Sequence, residues 1–144
     1  MGGHAWTYFV PYQLDILAAM LALRRREFEA GRYNPAVRFP MDLSAASPGA
    51  QHASIEAALE ASDADGTRSI LDMERIGESP DYGVVVSLPL ERLEELYGTQ
   101  RPTRKMIEDN MDFLDDIGRG EGVYVIVYKE GSPSEIFFAG FSYD

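Results

Sequence analysis

The sequence predicts an α+β fold built on a mainly antiparallel sheet with helices on one face. Segments rich in β-branched and aromatic residues alternate with amphipathic segments in the order strand, helix, two strands, helix, two strands. This is a ferredoxin-like βαββαβ order with one strand appended at the C-terminal end. Turn-forming residues separate the members of each strand pair, which favours antiparallel hairpins.

Length and composition indicate one globular domain over residues 1–144. The chain has 144 residues, of which 45% are hydrophobic and 26% are charged. A domain of this length can bury about 70% of its unfolded surface around one core. No apolar run approaches the roughly 20 residues that cross a bilayer, so we expect a cytoplasmic protein without a membrane partner.

The first strand and helix are predicted from the N-terminal 31 residues. Residues 4–10 are β-branched and aromatic and precede Pro11, which is typical of a strand. A helix should follow and end at Gly31, because glycine favours helix C-termini. Apolar residues at helical spacing predict its buried stripe, namely Leu14, Leu17, Leu21 and Phe28, which Ile16, Met20 and Leu23 widen to about half the circumference. The run Arg24, Arg25, Arg26 should complement the helix dipole rather than bind phosphate.

The middle of the chain is predicted to contain a long loop, a short helix and a hairpin. Residues 34–53 show no periodicity and contain three prolines. A connection of that length in a compact domain often serves as a lid or a binding loop. A short helix is predicted from Ser54, as N-cap, to about residue 62. Strands over 68–76 and 83–88 should then pair as a hairpin.

The C-terminal part is predicted to contain two helices and two strands. Pro89 opens a short helix that Gly98 ends. The strongest amphipathic pattern covers residues 103–117 and predicts one continuous helix. Strands over 123–129 and 135–143, joined by a Gly-Ser-Pro turn, complete the sheet.

Acidic side chains give the chain a formal net charge of −11 and cluster on the helix predicted over 103–117. Five of them share the arc opposite the apolar face: Glu108, Asp109, Asp112, Asp115 and Asp116. One interpretation is a solvated acidic face. The functional hypothesis is a docking surface for a basic protein partner, because complementary charge accelerates association and excludes wrong partners. On this hypothesis the protein is a non-enzymatic binding or regulatory module.

Aromatic side chains alternate onto single faces of three predicted strands. If these faces coincide, they form an aromatic platform on the side of the sheet that the helices leave open, and a sheet-to-sheet homodimer would cover it. The alternative is a small-molecule-binding protein or small enzyme with a pocket between the platform and the 34–53 loop. Its candidate lining residues are Tyr8, Arg38, His52, Tyr124, Tyr128 and Phe141. It is equally open that these aromatic residues belong to the ordinary core.

The small number of reactive side chains in the sequence excludes several classes of catalytic and metal-binding site. The chain has no cysteine and two histidines, so it lacks thiol nucleophiles, thiolate metal sites and multi-histidine zinc cages. Asp63, Asp65, Gly66 and Asp72 match part of a calcium loop, but Ala61 replaces its first acidic ligand. We expect no metal, no cofactor and no catalytic residue, and the net negative charge disfavours nucleic-acid binding.

Overall fold

Five strands form one mixed sheet in the order β1-β5-β4-β3-β2. The structure, a computed structural model, describes residues 3–34, 36, 49–62 and 65–143. The strands are β1 (Ala5–Pro11), β2 (Arg75–Gly77), β3 (Val84–Ser87), β4 (Gly122–Lys129) and β5 (Ser132–Phe141). The long pairings β1–β5 and β4–β5 are antiparallel, whereas β3 pairs with both β4 and β2 in parallel. The α+β class and the mainly antiparallel sheet are confirmed, but the arrangement is not clearly ferredoxin-like.

In the described residues, four α-helices and two 3₁₀ helices connect the strands. The α-helices are α1 (Ile16–Ala30), α2 (Ile55–Ala61), α3 (Leu90–Tyr97) and α4 (Arg104–Asp109), and the 3₁₀ helices are Ile70–Asp72 and Asp112–Asp116. The predicted helix boundaries at Ser54 and Gly31 are confirmed: the Ser54 side chain caps α2, and Gly31 ends α1 with a φ of 76°. In the described part of the chain, no helix has the length and apolar character needed to cross a bilayer.

Helices cover both faces of the sheet, so the prediction of helices on one face is wrong. Alternate residues of a strand point to opposite faces. Tyr8 pairs with Phe138, and their face packs against α1, α2 and the first 3₁₀ helix. Phe9 pairs with Phe137, and that face packs against α3, α4 and the second 3₁₀ helix. The aromatic platform therefore does not exist, because the aromatic residues are divided between two cores.

The hairpin predicted from residues 68–88 is wrong, because β2 and β3 run parallel. Residues 70–72 form a 3₁₀ helix capped by Ser69, which delays the start of β2 to Arg75. The loop between the strands then returns the chain to the starting end of β2. There, Gly83 O accepts hydrogen bonds from the backbone N–H groups of Glu74 and Arg75 at 2.7 and 3.1 Å. Gly83 adopts a φ of 75°, a conformation that favours glycine.

The stripe predicted to bury α1 is confirmed on one side only. Leu14, which is 87% exposed, Leu17 and Leu21 all face outward. Met20 and Leu23 of the predicted stripe are buried, together with Ala19 and Glu27. Sequence patterning misses Glu27 because it treats a charged residue as solvent-facing.

Glu27 is a buried carboxylate held by two arginines. It is 3% exposed and accepts hydrogen bonds from Arg32 Nε at 2.9 Å and Arg32 Nη2 at 2.7 Å, in a bidentate pair. Arg26 Nε donates to the same carboxylate at 3.0 Å. Arg24 Nη2 donates to Leu71 O at 3.1 Å. Arg24 and Arg26 therefore make contacts within the protein, but the last turn of α1 contains no basic residue, so the predicted complementing of the helix dipole is not observed there.

The helix predicted over 103–117 is two separate elements, with a break at Asn110. This residue has an extended backbone, with φ −147° and ψ 105°, and ends α4. Its carbonyl accepts a hydrogen bond from Tyr97 Oη at 2.6 Å, while its Nδ2 donates to Leu96 O at 3.4 Å. The N–H of Asp112 donates to Asn110 Oδ1 at 3.0 Å and begins the 3₁₀ helix. These contacts to α3 replace the hydrogen bonds that a continuous helix would have made.

Two leucine substitutions test which side chains of α1 and of the residues just before it are buried. Leu23→Ala should lower the free energy of unfolding by about 2–5 kcal/mol, because Leu23 is 2% exposed and its loss leaves a core cavity. Leu14→Ala, the matched control, should change it by less than about 0.5 kcal/mol. Urea denaturation measures both values. Equal destabilisation by the two substitutions would contradict this pattern of burial.

Candidate functional site

The five acidic residues predicted to form a docking surface do not share one face. We call these residues, Glu108, Asp109, Asp112, Asp115 and Asp116, the ridge acids. Glu108 pairs with Arg104 at 3.3 Å, and Asp109 pairs with Lys105 at 3.0 Å. Asp116 pairs with Arg92 at 2.8 Å. Asp112 and Asp115 are exposed and form no ion pair with any residue that the structure describes. Three of the five charges are therefore already compensated by neighbouring cations.

The ridge acids are also divided between the two ends of the sheet. Arg104, the partner of Glu108, also contacts Glu135, which pairs with Pro11 near the start of β5. Asp115 lines a small cavity with Phe141, at the opposite end of β5. The break at Asn110 produces this separation. Docking of a partner by these acids remains a prediction.

The candidate lining residues of the predicted small-molecule pocket that the structure describes do not converge. Tyr8 and Tyr124 belong to the face covered by α1, whereas Phe141 belongs to the opposite face. Tyr128 lies beyond an irregularity in β4, with the guanidinium of Arg101 5.7 Å from its ring centroid. Arg38 lies outside the described residues.

His52 contacts Tyr33, a residue that the sequence analysis did not single out. His52 Nδ1 lies 2.8 Å from Tyr33 Oη, and the backbone N–H of Gln51 donates to the same oxygen at 3.3 Å. Tyr33 is fully buried and stacks on Phe28 with a centroid distance of 5.7 Å. His52 therefore anchors its segment to the α1 core, and Ser54 is occupied as the cap of α2.

A groove of about 590 Å³ lies between the start of α4 and the β4–β5 hairpin. Tyr128 lines it, together with Arg104, Lys105 and Glu135. These charged groups already have partners within the protein, since Arg104 pairs with Glu135 at 2.9 Å and Lys105 pairs with Asp109. Lys129 and Glu130 also line the groove and form no ion pair with a residue that the structure describes, so one exposed cation and one exposed anion remain there.

A smaller cavity is lined by two acidic residues, one of them buried. The cavity has a volume of about 180 Å³ and lies at the end of the sheet where β2 and β3 begin. Its described lining residues are Leu59, Ser62, Gly66, Asp72, Glu74 and Tyr143. We call it the Asp72 cavity. The charge of Arg24 acts on both Asp72 and Glu74 from within the protein.

Asp72 has one satisfied and one unsatisfied carboxylate oxygen. Oδ1 accepts a hydrogen bond from the backbone N–H of Thr67 at 2.7 Å. Oδ2 is buried and has no hydrogen-bond partner among the described residues, and the residue as a whole is 8% exposed. Burial raises the pKa of the Asp72 carboxyl, opposed by the hydrogen bonds from Thr67 and by the charge of Arg24. A perturbed carboxyl in a cleft is a candidate functional group.

Local polar contacts hold Asp72 in this position. Ser69 Oγ accepts the N–H of Leu71 at 3.2 Å and lies 2.8 Å from Thr67 Oγ1, so the turn before the 3₁₀ helix is fixed internally. Gly66 completes the wall of the cavity with a φ of 79°. A Cβ atom at Gly66 would lie 2.9 Å from Asp72 Oδ2, and this close approach requires glycine.

The remaining polar groups of the cavity add further acceptors. Ser62 Oγ donates its proton to Ala58 O at 3.0 Å, which leaves its lone pairs available. The exposed carboxylate of Glu74 forms no ion pair with a residue of the described ranges. The ring of Tyr143 closes one side and packs edge-to-face against Tyr82 with a centroid distance of 5.5 Å. The cavity is therefore suited to a cation.

The chemistry of the lining favours an organic cation over a metal ion. Calcium takes six to eight oxygen ligands, and the described residues contain no group of three or more His, Cys, Asp or Glu side chains placed to hold a metal. Asp63, one member of the calcium-like pattern, lies outside the described residues. Asp72, at the last position of that pattern, already uses Oδ1 for the backbone of Thr67.

Comparisons with known proteins assign neither a family nor a function. No protein-family model matches the chain, and no curated protein or solved structure matches it. The function is therefore inferred from the fold and from the chemistry of the Asp72 cavity.

The raised pKa of Asp72 predicts a specific pH dependence of stability. Because the folded state binds this proton more tightly than the unfolded chain, the free energy of unfolding should increase as pH falls from neutral towards 3.8, the ordinary carboxyl value. Asp72→Asn should lack this increase, whereas Glu78→Gln, at an exposed site, should keep it. Urea denaturation between pH 7 and pH 4 compares the three proteins. Parallel curves for wild type and Asp72→Asn would contradict the prediction.

Proposed function

We propose that the protein is a binding module for a basic protein partner, which inserts one cationic side chain into the Asp72 cavity. The single observation that carries this proposal is the unsatisfied Asp72 Oδ2, a buried carboxylate oxygen in the wall of an acidic cavity. The proposal keeps the class of function expected from the sequence. It places the principal contact at the end of the sheet where β2 and β3 begin, rather than on the acids of residues 108–116.

A buried carboxylate without a counter-ion needs a physical explanation. Burial of a charged group is costly unless the charge is paired and hydrogen-bonded, and most buried polar atoms in folded proteins have a partner. Arg24 lies close enough to affect Asp72 electrostatically, but the two form no ion pair within 4 Å. An external cation would supply both the missing charge and the missing hydrogen bond. The unfavourable free energy of burying this carboxylate in the free protein is typical of a residue retained for binding.

The size of the cavity favours a side chain of a larger partner over a free metabolite. Pockets for small molecules usually have volumes of about 300–1,000 Å³, whereas the Asp72 cavity has about 180 Å³. A cavity of this size accommodates the charged end of one long side chain. The remaining binding energy would then come from the surrounding surface of the partner.

The charge around the cavity supports a basic partner. Residues 54–83, which include five of the six lining residues, contain eight acidic and only two basic residues. Such a field attracts basic surfaces and raises their association rate.

Access to Asp72 Oδ2 requires a small movement of a neighbouring side chain. The oxygen is covered in the free protein. A Cβ atom built on Gly66 would lie 3.2 Å from Tyr143 Cδ2 and 2.9 Å from Asp72 Oδ2, so the tyrosine ring adjoins the oxygen. Tyr143 follows the last strand and is half-buried, and the proposed binding requires its ring to move away from the oxygen.

A nuclear magnetic resonance titration tests the proposed function. The probe is an end-blocked Gly-Lys-Gly peptide added at low ionic strength to ¹⁵N-labelled protein, with Gly-Gln-Gly as the neutral comparison. The lysine peptide should shift the amide signals of Gly66, Thr67 and Glu74, which adjoin or line the cavity. The shifts should weaken as salt increases, because screening reduces exposed charge interactions.

Two variants identify the residue responsible. Asp72→Asn keeps the acceptor for Thr67 and should abolish the shifts, whereas Glu78→Gln removes one charge from the same acidic segment and should preserve them. The dispersion of the amide spectrum reports whether each variant is folded. Shifts that persist in Asp72→Asn, or that occur only at residues 108–116, would contradict the assignment of this cavity.

A further inference from the structure

We infer that β1 pairs edge to edge with β1 of a second copy of this chain, in an antiparallel arrangement centred on Thr7. A two-fold axis then passes between the two Thr7 residues, so each copy contributes the same surface. This interface uses the edge of the sheet, whereas the homodimer predicted from the sequence used a face. The inference does not depend on the Asp72 cavity or on the proposed function.

The outward edge of β1 carries backbone groups that are available for pairing. β1 is the first strand in the sheet order and pairs with β5 alone among the described strands. The N–H of Tyr12 donates to β5 at 3.1 Å, and the carbonyl of His4 accepts from the residue that follows β5 at 3.0 Å, so the even-numbered residues face β5. Successive residues of an antiparallel strand direct their backbone groups to opposite sides. Those of Ala5, Thr7 and Phe9 therefore point away from β5, where the structure describes no hydrogen-bond partner for them.

The sequence of β1 lacks most of the features that keep an edge strand from pairing. Exposed edges are usually short, bulged or charged. β2, at the other edge of the sheet, has three residues and includes Arg75. β1 has seven residues in continuous register with β5, and residues 3–14 contain no Asp, Glu, Lys or Arg. Because Ala5 and Thr7 are also exposed, this edge is accessible to another strand.

Pro11 and the start of the strand favour one register. A register that places Ala5 opposite Pro11 of the second copy would leave the Ala5 carbonyl without a donor, because proline has no N–H. A shift in the other direction would place Phe9 opposite Gly3, which precedes the strand. The register centred on Thr7 pairs Ala5 with Phe9 of the second copy. It gives every outward N–H and C=O group of these residues a partner.

The side chains on this edge favour a second copy over a basic segment of another protein. Residues directly opposite each other in an antiparallel pair contact one another, and two facing threonines can hydrogen-bond. The small Ala5 would face Phe9, whose ring is held by Phe137 at a centroid distance of 4.6 Å and by the guanidinium of Arg104 at 4.1 Å. Residues 3–14 contain no acidic side chain that would attract a basic segment, and none that would repel a second copy.

Sedimentation velocity with charge variants at Thr7 tests this interface. The mass of the wild-type protein should rise from 16.0 kDa towards twice that value as concentration increases, because an interface of one strand per copy is small and weak. Thr7→Lys and Thr7→Glu should each remain monomeric where the wild type is dimeric, since like charges would face each other across the axis. An equimolar mixture of the two variants should recover the dimer. Ser87→Lys, at the exposed end of β3, is the matched control and should dimerise like the wild type.

Amide hydrogen exchange tests the pairing directly, and the dispersion of the amide spectrum reports whether each variant is folded. The N–H groups of Ala5, Thr7 and Phe9 should exchange more slowly as the concentration of the wild type increases, and Thr7→Lys should lose this protection. A wild-type chain that stays monomeric, or a dimer that Thr7→Lys leaves intact, would overturn the inference. Protection that is independent of concentration, or a mixture of the two charge variants that stays monomeric, would also overturn it.

Discussion

The register of β5 between β1 and β4 is the constraint on which the rest of the structure depends. It places Phe138 beside Tyr8 and Tyr124 on one face, and Phe137 beside Phe9 and Val125 on the other. Because a shift of one residue would exchange the two faces, this register decides which side chains meet which helices. Both faces of β5 are buried, and its central residues belong to two cores. Among the described residues, the sheet therefore has no broad exposed apolar face, which the predicted sheet-to-sheet homodimer would have covered.

The same arrangement places the candidate functional residue, Asp72, at the end of the sheet where β2 and β3 begin, rather than on one of the two faces of the sheet. β5 finishes where β2, β3 and β4 begin, so Tyr143 meets the segment that contains Gly66 and Asp72. The two carboxylates buried near the sheet differ in their environment. Glu27 is neutralised by arginines within the chain, whereas Asp72 has an oxygen without a hydrogen bond in the described structure. The first is neutralised within the fold, and the second is the group that we propose for recognition.

Much of the secondary structure follows from local signals, but the site does not. The Ser54 cap and the Gly31 end of α1 depend on neighbouring residues, and both were predictable. The break at Asn110 depends on its contacts with α3, which helical periodicity cannot reveal. Asp72 was noticed as part of a calcium-like pattern. Its candidacy as a functional residue depends on its burial and on one carboxylate oxygen that accepts no hydrogen bond. Both features arise only when the turn at Thr67 folds against Asp72.

Direct titration of the Asp72 carboxyl by ¹³C nuclear magnetic resonance tests the central claim, that this group is a buried carboxylate awaiting a cation. The pKa should lie above the ordinary value of 3.8 in the free protein. Addition of n-butylammonium should lower that pKa, because a bound cation favours the ionised form. A carboxyl that titrates at or below its ordinary value, and whose pKa the amine does not change, would contradict the claim.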